Sequence, residues 1–113
     1  MTTSIPVTLD FKTASERCDR IRALYRELEL EHHATAWTTE GDLLGFVSGV
    51  GILSKLVMTS EGRWIQDGDV EAELKDKLSE CFWSLFVLSS RLGIEPSEAM
   101  TSFMDMLDFK LSA

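Results

Sequence analysis

Apolar residues recur three and four positions apart in four stretches of the chain, and this spacing predicts four helices and an all-α fold. The first stripe is Ala14, Cys18, Ile21, Tyr25 and Leu28, and the second is Leu43, Phe46, Val47, Val50, Leu53 and Val57. The third is Leu74, Leu78, Cys81, Leu85, Leu88 and Leu92, and the fourth is Met100, Phe103, Met104, Leu107 and Leu111. The ends are marked by residues that satisfy free helix-terminal groups. Thr13 with Glu16, and Thr39 with Asp42, stand at capping-box spacing, and Asp69 is placed to cap the third helix. Gly93 followed by Ile94 is a Schellman-type stop, and Pro96 suits the first turn of the fourth helix. Between these elements lie a polar connection, Glu29 to Thr35, and a loop rich in Gly and charge, Ser60 to Gly68, that carries Trp64.

The third helix departs from a simple amphipathic pattern. From Cys81 onward Phe82, Trp83, Phe86 and Val87 make it apolar on nearly all sides, which calls for more than one packing neighbour. With Trp83 and Phe86 outside the main stripe, a buried subunit contact is expected, and the four helices are read as half of an intertwined or tightly packed homodimer. The 113 residues suffice for one domain, assigned to 13–113 with residues 1–12 as an N-terminal extension.

Charge narrows the function classes. A net charge of −8 repels phosphate backbones and anionic lipid, so neither nucleic acid nor a membrane surface is an expected partner. Cys18 and Cys81 have no metal or redox spacing and are read as core thiols of a reducing compartment. No basic-then-apolar leader is visible at the N-terminus, and the longest uninterrupted apolar run, Leu85 to Leu88, is too short to span a bilayer. A cytoplasmic location is the expectation.

Two helix faces carry candidate chemistry. Gly41, Gly45, Ser48, Gly49 and Ile52 share a small-residue face of the second helix, suited either to close packing or to a pocket wall. On the third, Glu73, Asp76, Lys77, Glu80 and Ser84 share a polar face. Its carboxylates suit a hydrated Mg2+ ion, and the simpler alternative is a solvated face with a Glu73–Lys77 pair. His32 and His33 are adjacent, so at most one points into a given site. Trp37 and Trp64 offer flat faces for a base or for packing. There is no Gly-rich phosphate loop, nucleophile elbow or HExxH motif.

Phe46-Val47-Ser48-Gly49-Val50-Gly51-Ile52-Leu53, together with Lys77-Leu78-Ser79-Glu80-Cys81-Phe82-Trp83 and Arg91-Leu92-Gly93-Ile94, resembles the MazG-like all-α nucleotide pyrophosphohydrolases. The likeness spans about Trp37 to Leu107. It implies a four-helix MazG-like bundle in which EExxE on one helix and ExxD on the next hold magnesium, and a nucleoside triphosphate is split into monophosphate and pyrophosphate. Here the matching positions are Ser48, Gly49 and Ile52, then Lys77 and Glu80. Four of the five acids are absent, and Glu80 stands one methylene longer than the expected Asp.

A lone carboxylate beside an ammonium binds magnesium poorly, so the expectation is a homologue of weak or no activity that acts through nucleotide or protein binding. Two alternatives stand beside it. One is a working Mg2+-dependent pyrophosphohydrolase with Glu80 catalytic, a reduced or relocated metal set of Glu80, Asp76 and Glu73, with Asp42 in reach, and Trp37, Lys77 and His33 on the substrate. The other is a helical adaptor unrelated to nucleotides.

Overall fold

The computed structural model describes residues 8–33 and 35–112. It contains four helices: α1 (Phe11–His33), α2 (Thr39–Ser60), α3 (Val70–Arg91) and α4 (Pro96–Leu111). No strand is present among the described residues. The all-α four-helix expectation is met. The first seven residues of the assigned N-terminal extension lie outside the described part.

Capping explains the boundaries, with two shifts from the expected caps. α1 begins at Phe11 because Asp10 caps it: Asp10 Oδ1 accepts from Thr13 N at 2.8 Å, and Thr13 Oγ1 accepts from Asp10 N at 3.0 Å. Thr13 is thus the return partner in a reciprocal cap rather than the cap itself. α2 is capped one residue earlier than Thr39, by Thr38, whose Oγ1 accepts from Gly41 N at 3.0 Å. Asp69 caps α3 through Ala72 N at 3.2 Å. Gly93 at φ 70° ends α3, with Gly93 N donating to Ser90 O at 3.1 Å and Ile94 N to Ser89 O at 2.9 Å. That left-handed residue is the one a Schellman stop requires, and Gly alone adopts it without a Cβ clash. Glu95 caps α4 through Glu98 N at 2.8 Å, and this N–H holds the Glu95 carboxyl below its usual range.

The main packing is between α2 and α3, with α1 against α3 and α4 against α1. α2 and α3 run antiparallel: the start of α2 meets the end of α3 through Asp42 and Arg91, and the following loop meets the start of α3 through Gln66 and Glu73. The core is small. Among the described residues the buried hydrophobic side chains are Leu56 and Val87, while Leu43, Val47, Val50, Val57, Leu78, Leu85 and Leu92 remain exposed. Most of the two central stripes is therefore open in the single chain. Two of the extra aromatics of α3 have neighbours within the chain. Trp83 meets Tyr25 edge-on at 6.3 Å and Phe86 meets Phe11 at 5.3 Å between ring centroids, so α1 is their neighbour.

One helix exceeds what uninterrupted apolar runs suggest. α2, at 22 residues with a mean hydropathy of 1.6 over its most apolar window, is long and apolar enough by length and composition to cross a membrane.

Candidate functional site

The α2–α3 junction carries polar groups along one side, and it opens into two cavities that meet at Glu80. The larger, about 580 Å3, lies between α1, α2 and α3 and is lined by Tyr25, Glu29, Trp37, Asp42, Glu80 and Trp83 among others. The smaller, about 270 Å3, is lined by Ile52, Leu56, Gln66, Glu73, Asp76, Lys77 and Glu80.

The large cavity has a charged frame drawn from four segments. Arg91 at the end of α3 pairs with Asp42 in the first turn of α2 and donates through Nη2 to the carbonyl of Trp37 at 2.6 Å. Arg22 on α1 pairs with Glu29 at 3.3 Å, and Glu29 Oε2 accepts from Trp37 N at 3.1 Å. Partial burial works to raise the Glu29 pKa, but the Trp37 N–H, the Arg22 hydrogen bond and charge, and the more distant Arg91 charge together hold it below the ordinary value. The carboxylate is thereby kept ionised.

Glycine gives Trp37 its seat. A Cβ on Gly41 would come within 2.9 Å of Trp37 Cε3, and one on Gly45 within 3.9 Å of its Cζ3. The indole lies where only a bare backbone at Gly41 admits it, whereas the distance at Gly45 is an ordinary contact, so the indole accounts for Gly41 alone. Gly49 and Gly51 meet nothing within 4 Å, and no contact within the chain explains them.

The sequence-derived site residues distribute unevenly. Ile52, Lys77 and Glu80 come together, as do Glu73 and Asp76, all on the small cavity. Ser48 and Gly49 line neither cavity: Ser48 is exposed and Gly49 half-buried on α2. Trp37 sits on the large cavity and also shares a separate cleft with His33, Glu29 and Gly41; His32 is exposed beside it. Lys77 borders neither of the spaces that Trp37 borders. Trp64 lies in the loop with Lys55 Nζ 5.8 Å from its ring centroid.

Two of the three carboxylates on the small cavity are bonded within the chain. Lys77 Nζ donates to Glu80 Oε2 at 2.5 Å, and Glu73 accepts from Gln66 Nε2 at 3.2 Å. Lys77 thus pairs with Glu80 instead of Glu73. Among the described residues no three His, Cys, Asp or Glu side chains converge on one point as metal ligands would. The donor set therefore does not fit a magnesium ion: Glu80 is already bonded to the Lys77 ammonium, and Ile52 has no donor atom.

Sequence reasoning missed Arg22, Glu29 and Arg91 as builders of the site. A usable signal existed in Asp42 in the first turn of α2 and in Arg91, the lone charge after Glu80 on α3, which an antiparallel pair brings to the same end. The two cysteines are free and half-buried, and burial with the nearby Asp19 charge raises the Cys18 thiol. Set against known proteins, the chain matches no family model, no curated protein and no solved structure.

Proposed function

We propose that this chain is a MazG-like helical protein in which the metal-holding face between α2 and α3 has become an internal ion pair, so that it acts by binding a nucleotide or protein rather than by hydrolysis. The observation that carries the reading is the Lys77–Glu80 pair at 2.5 Å, on a cavity shared with Ile52. These three residues stand at the positions where the resemblance expects carboxylates. An ammonium there supplies the positive charge that a metal would bring, but it has no vacant coordination site and cannot lower the pKa of a bound water. The framed Trp37 beside the larger cavity leaves a flat face on which a planar ligand can stack.

A second reading has one observation in its favour. Glu73, Asp76 and Glu80 all line the small cavity, which is the set a relocated magnesium site would use. Pyrophosphate release from a panel of ribo- and deoxyribonucleoside triphosphates, with Mg2+ or Mn2+, separates the two. The expected result is no turnover above background and no metal-dependent rise in melting temperature. Turnover that disappears in Glu80→Gln would overturn the proposal and establish the relocated site.

A further inference from the structure

Another cavity, of about 300 Å3, lies between α1 and the end of α3, and its polar lining is Asp19, Arg22, Arg26, Ser90 and Arg91. The helical repeat explains the gathering. Asp19, Arg22 and Arg26 stand three and four residues apart and share a face of α1, while Ser90 and Arg91 are the last two residues of α3, one turn beyond the buried Val87. This arginine cavity shares Arg22 with the large cavity and no residue with the small one that holds Lys77 and Glu80.

Charge is sorted across the wall between the large cavity and this one. Glu29 and Asp42 line only the large cavity of the two, Arg91 lines only the arginine cavity, and Arg22 borders both. The Arg22–Glu29 and Arg91–Asp42 pairs thus stand side by side with their positive ends toward the arginine cavity. They also hold the arginines in place, since Arg22 Nη1, Arg91 Nε and Asp42 Oδ2 are shut off from solvent. Arg91 uses Nε for Asp42 and Nη2 for the Trp37 carbonyl, which leaves Nη1 uncommitted among the described residues. Arg26 is exposed and belongs to none of the ion pairs among the described residues. Guanidinium groups fixed in this way present N–H forks that match the oxygens of a carboxylate or a phosphoryl group, with less freedom left to lose on binding.

The charge of the lining separates these two ligands. Three guanidinium groups against the one carboxylate of Asp19 leave a surplus of two, which Glu29 and Asp42 offset in part from behind while Arg26 stays uncompensated. A phosphate monoester, at about −1.5 to −2 near neutral pH, meets that surplus more fully than a carboxylate does. Ser90 adds a hydroxyl donor. At a net charge of −8 the chain as a whole repels anions, so holding one needs such a local concentration of positive charge.

We infer that the arginine cavity is a phosphoryl site, in which Arg22, Arg26, Arg91 and Ser90 hold the phosphate of a small phosphomonoester. The site is independent of the nucleotide reading, because it lies on α1 and the end of α3 and not on the face between α2 and α3 that carries the motif positions. Titration of the full chain with inorganic phosphate should shift the Nε–Hε resonances of Arg22, Arg26 and Arg91 together and saturably, and an affinity weaker than about 10 mM would overturn the site. Arg26→Gln should weaken phosphate binding by about tenfold or more, the usual contribution of a charge-assisted hydrogen bond. Arg63→Gln, in the loop at the other end of the α2–α3 pair, should change it by less than about twofold, because screening confines the effect of a distant charge. Asp19→Asn should tighten binding more than Glu71→Gln, at the start of α3. Equal effects within either pair of variants would reduce the binding to general charge and refute the site. Acetate at matched ionic strength should bind about tenfold more weakly or worse, and parity would overturn the phosphoryl assignment in favour of a carboxylate. Adenosine 5′-monophosphate set against glycerol 3-phosphate separates this site from the nucleotide reading. Equal affinities with the arginine shifts retained would uphold the site and count against that reading, whereas the nucleotide binding without arginine shifts would overturn the site and leave that reading standing.

Discussion

The two sides of the α2–α3 pair differ in what they ask of their surroundings. On the cavity side, Asp42, Glu29 and Glu80 each meet a cation of the same chain, Arg91, Arg22 and Lys77. On the other side Val47, Val50, Leu78 and Leu85 stay exposed. Charges can be satisfied one against one by a single long side chain, but apolar area is removed from water only by a matching area. A chain with a core as small as Leu56 and Val87 can therefore pair Asp42, Glu29 and Glu80 internally while its packing stays incomplete.

The cavity side itself divides into a pair that joins helices and a pair that does not, and this gives the sharpest way to break the comparison. Arg91→Ala removes the partner of Asp42 and the donor to the Trp37 carbonyl together, leaving a mostly buried carboxylate. A loss of about 2–4 kcal/mol is expected in a urea titration, with a shift in tryptophan emission as Trp37 loses its anchor. Arg91→Lys should recover part of this loss, because an ammonium keeps the charge without the two-pronged geometry.

A smaller effect comes from acid. Glu29 has a folded pKa below its ordinary 4.5, so its contribution is complete above that ordinary value and declines as pH falls through the lower folded value. Melting temperature should drop on acidification in that window, and Glu29→Gln should lower stability at pH 7 while flattening this part of the profile. The smallest effect belongs to Lys77→Ala. Its pair with Glu80 lies within one turn of α3 and the Glu80 side chain is 61% exposed, so about 0.5 kcal/mol or less is expected. A loss as large as that of Arg91→Ala would mean that the small cavity, rather than the frame around Trp37, organises this side.

What the sequence made legible was local. Asp69, Gly93 and Pro96 mark helix ends through atoms within a few residues of themselves, and they act where the pattern placed them. Thr13 lies three residues and Thr39 one residue past the actual caps, because Asp10 and Thr38 offer the same oxygen earlier. The stripes were legible as stripes but not as core: Leu78 and Leu85 have the same helical spacing as Cys81 and Leu88, and periodicity does not tell a surface buried by the same chain from one left for another. For the same reason the contacts of Trp83 with Tyr25 and of Phe86 with Phe11, some sixty or seventy residues away, are not visible in the spacing. The Asp42–Arg91 pair depends on the antiparallel arrangement of two whole helices, so it emerged only with the fold. Within the candidate site, the gathering of Ile52, Lys77 and Glu80 agreed with the motif spacing, while Ser48 and Gly49 fell outside both cavities.

Trp37 is held by its backbone rather than by its ring. Its N–H is bound to Glu29 and its carbonyl to Arg91, while the residue as a whole stays 56% exposed. A residue anchored at its backbone in this way, with its ring against Gly41, has given up part of its freedom before any ligand arrives. A planar molecule docking on it would be spared the cost of ordering that backbone, so less of a stacking contact would be lost from the affinity.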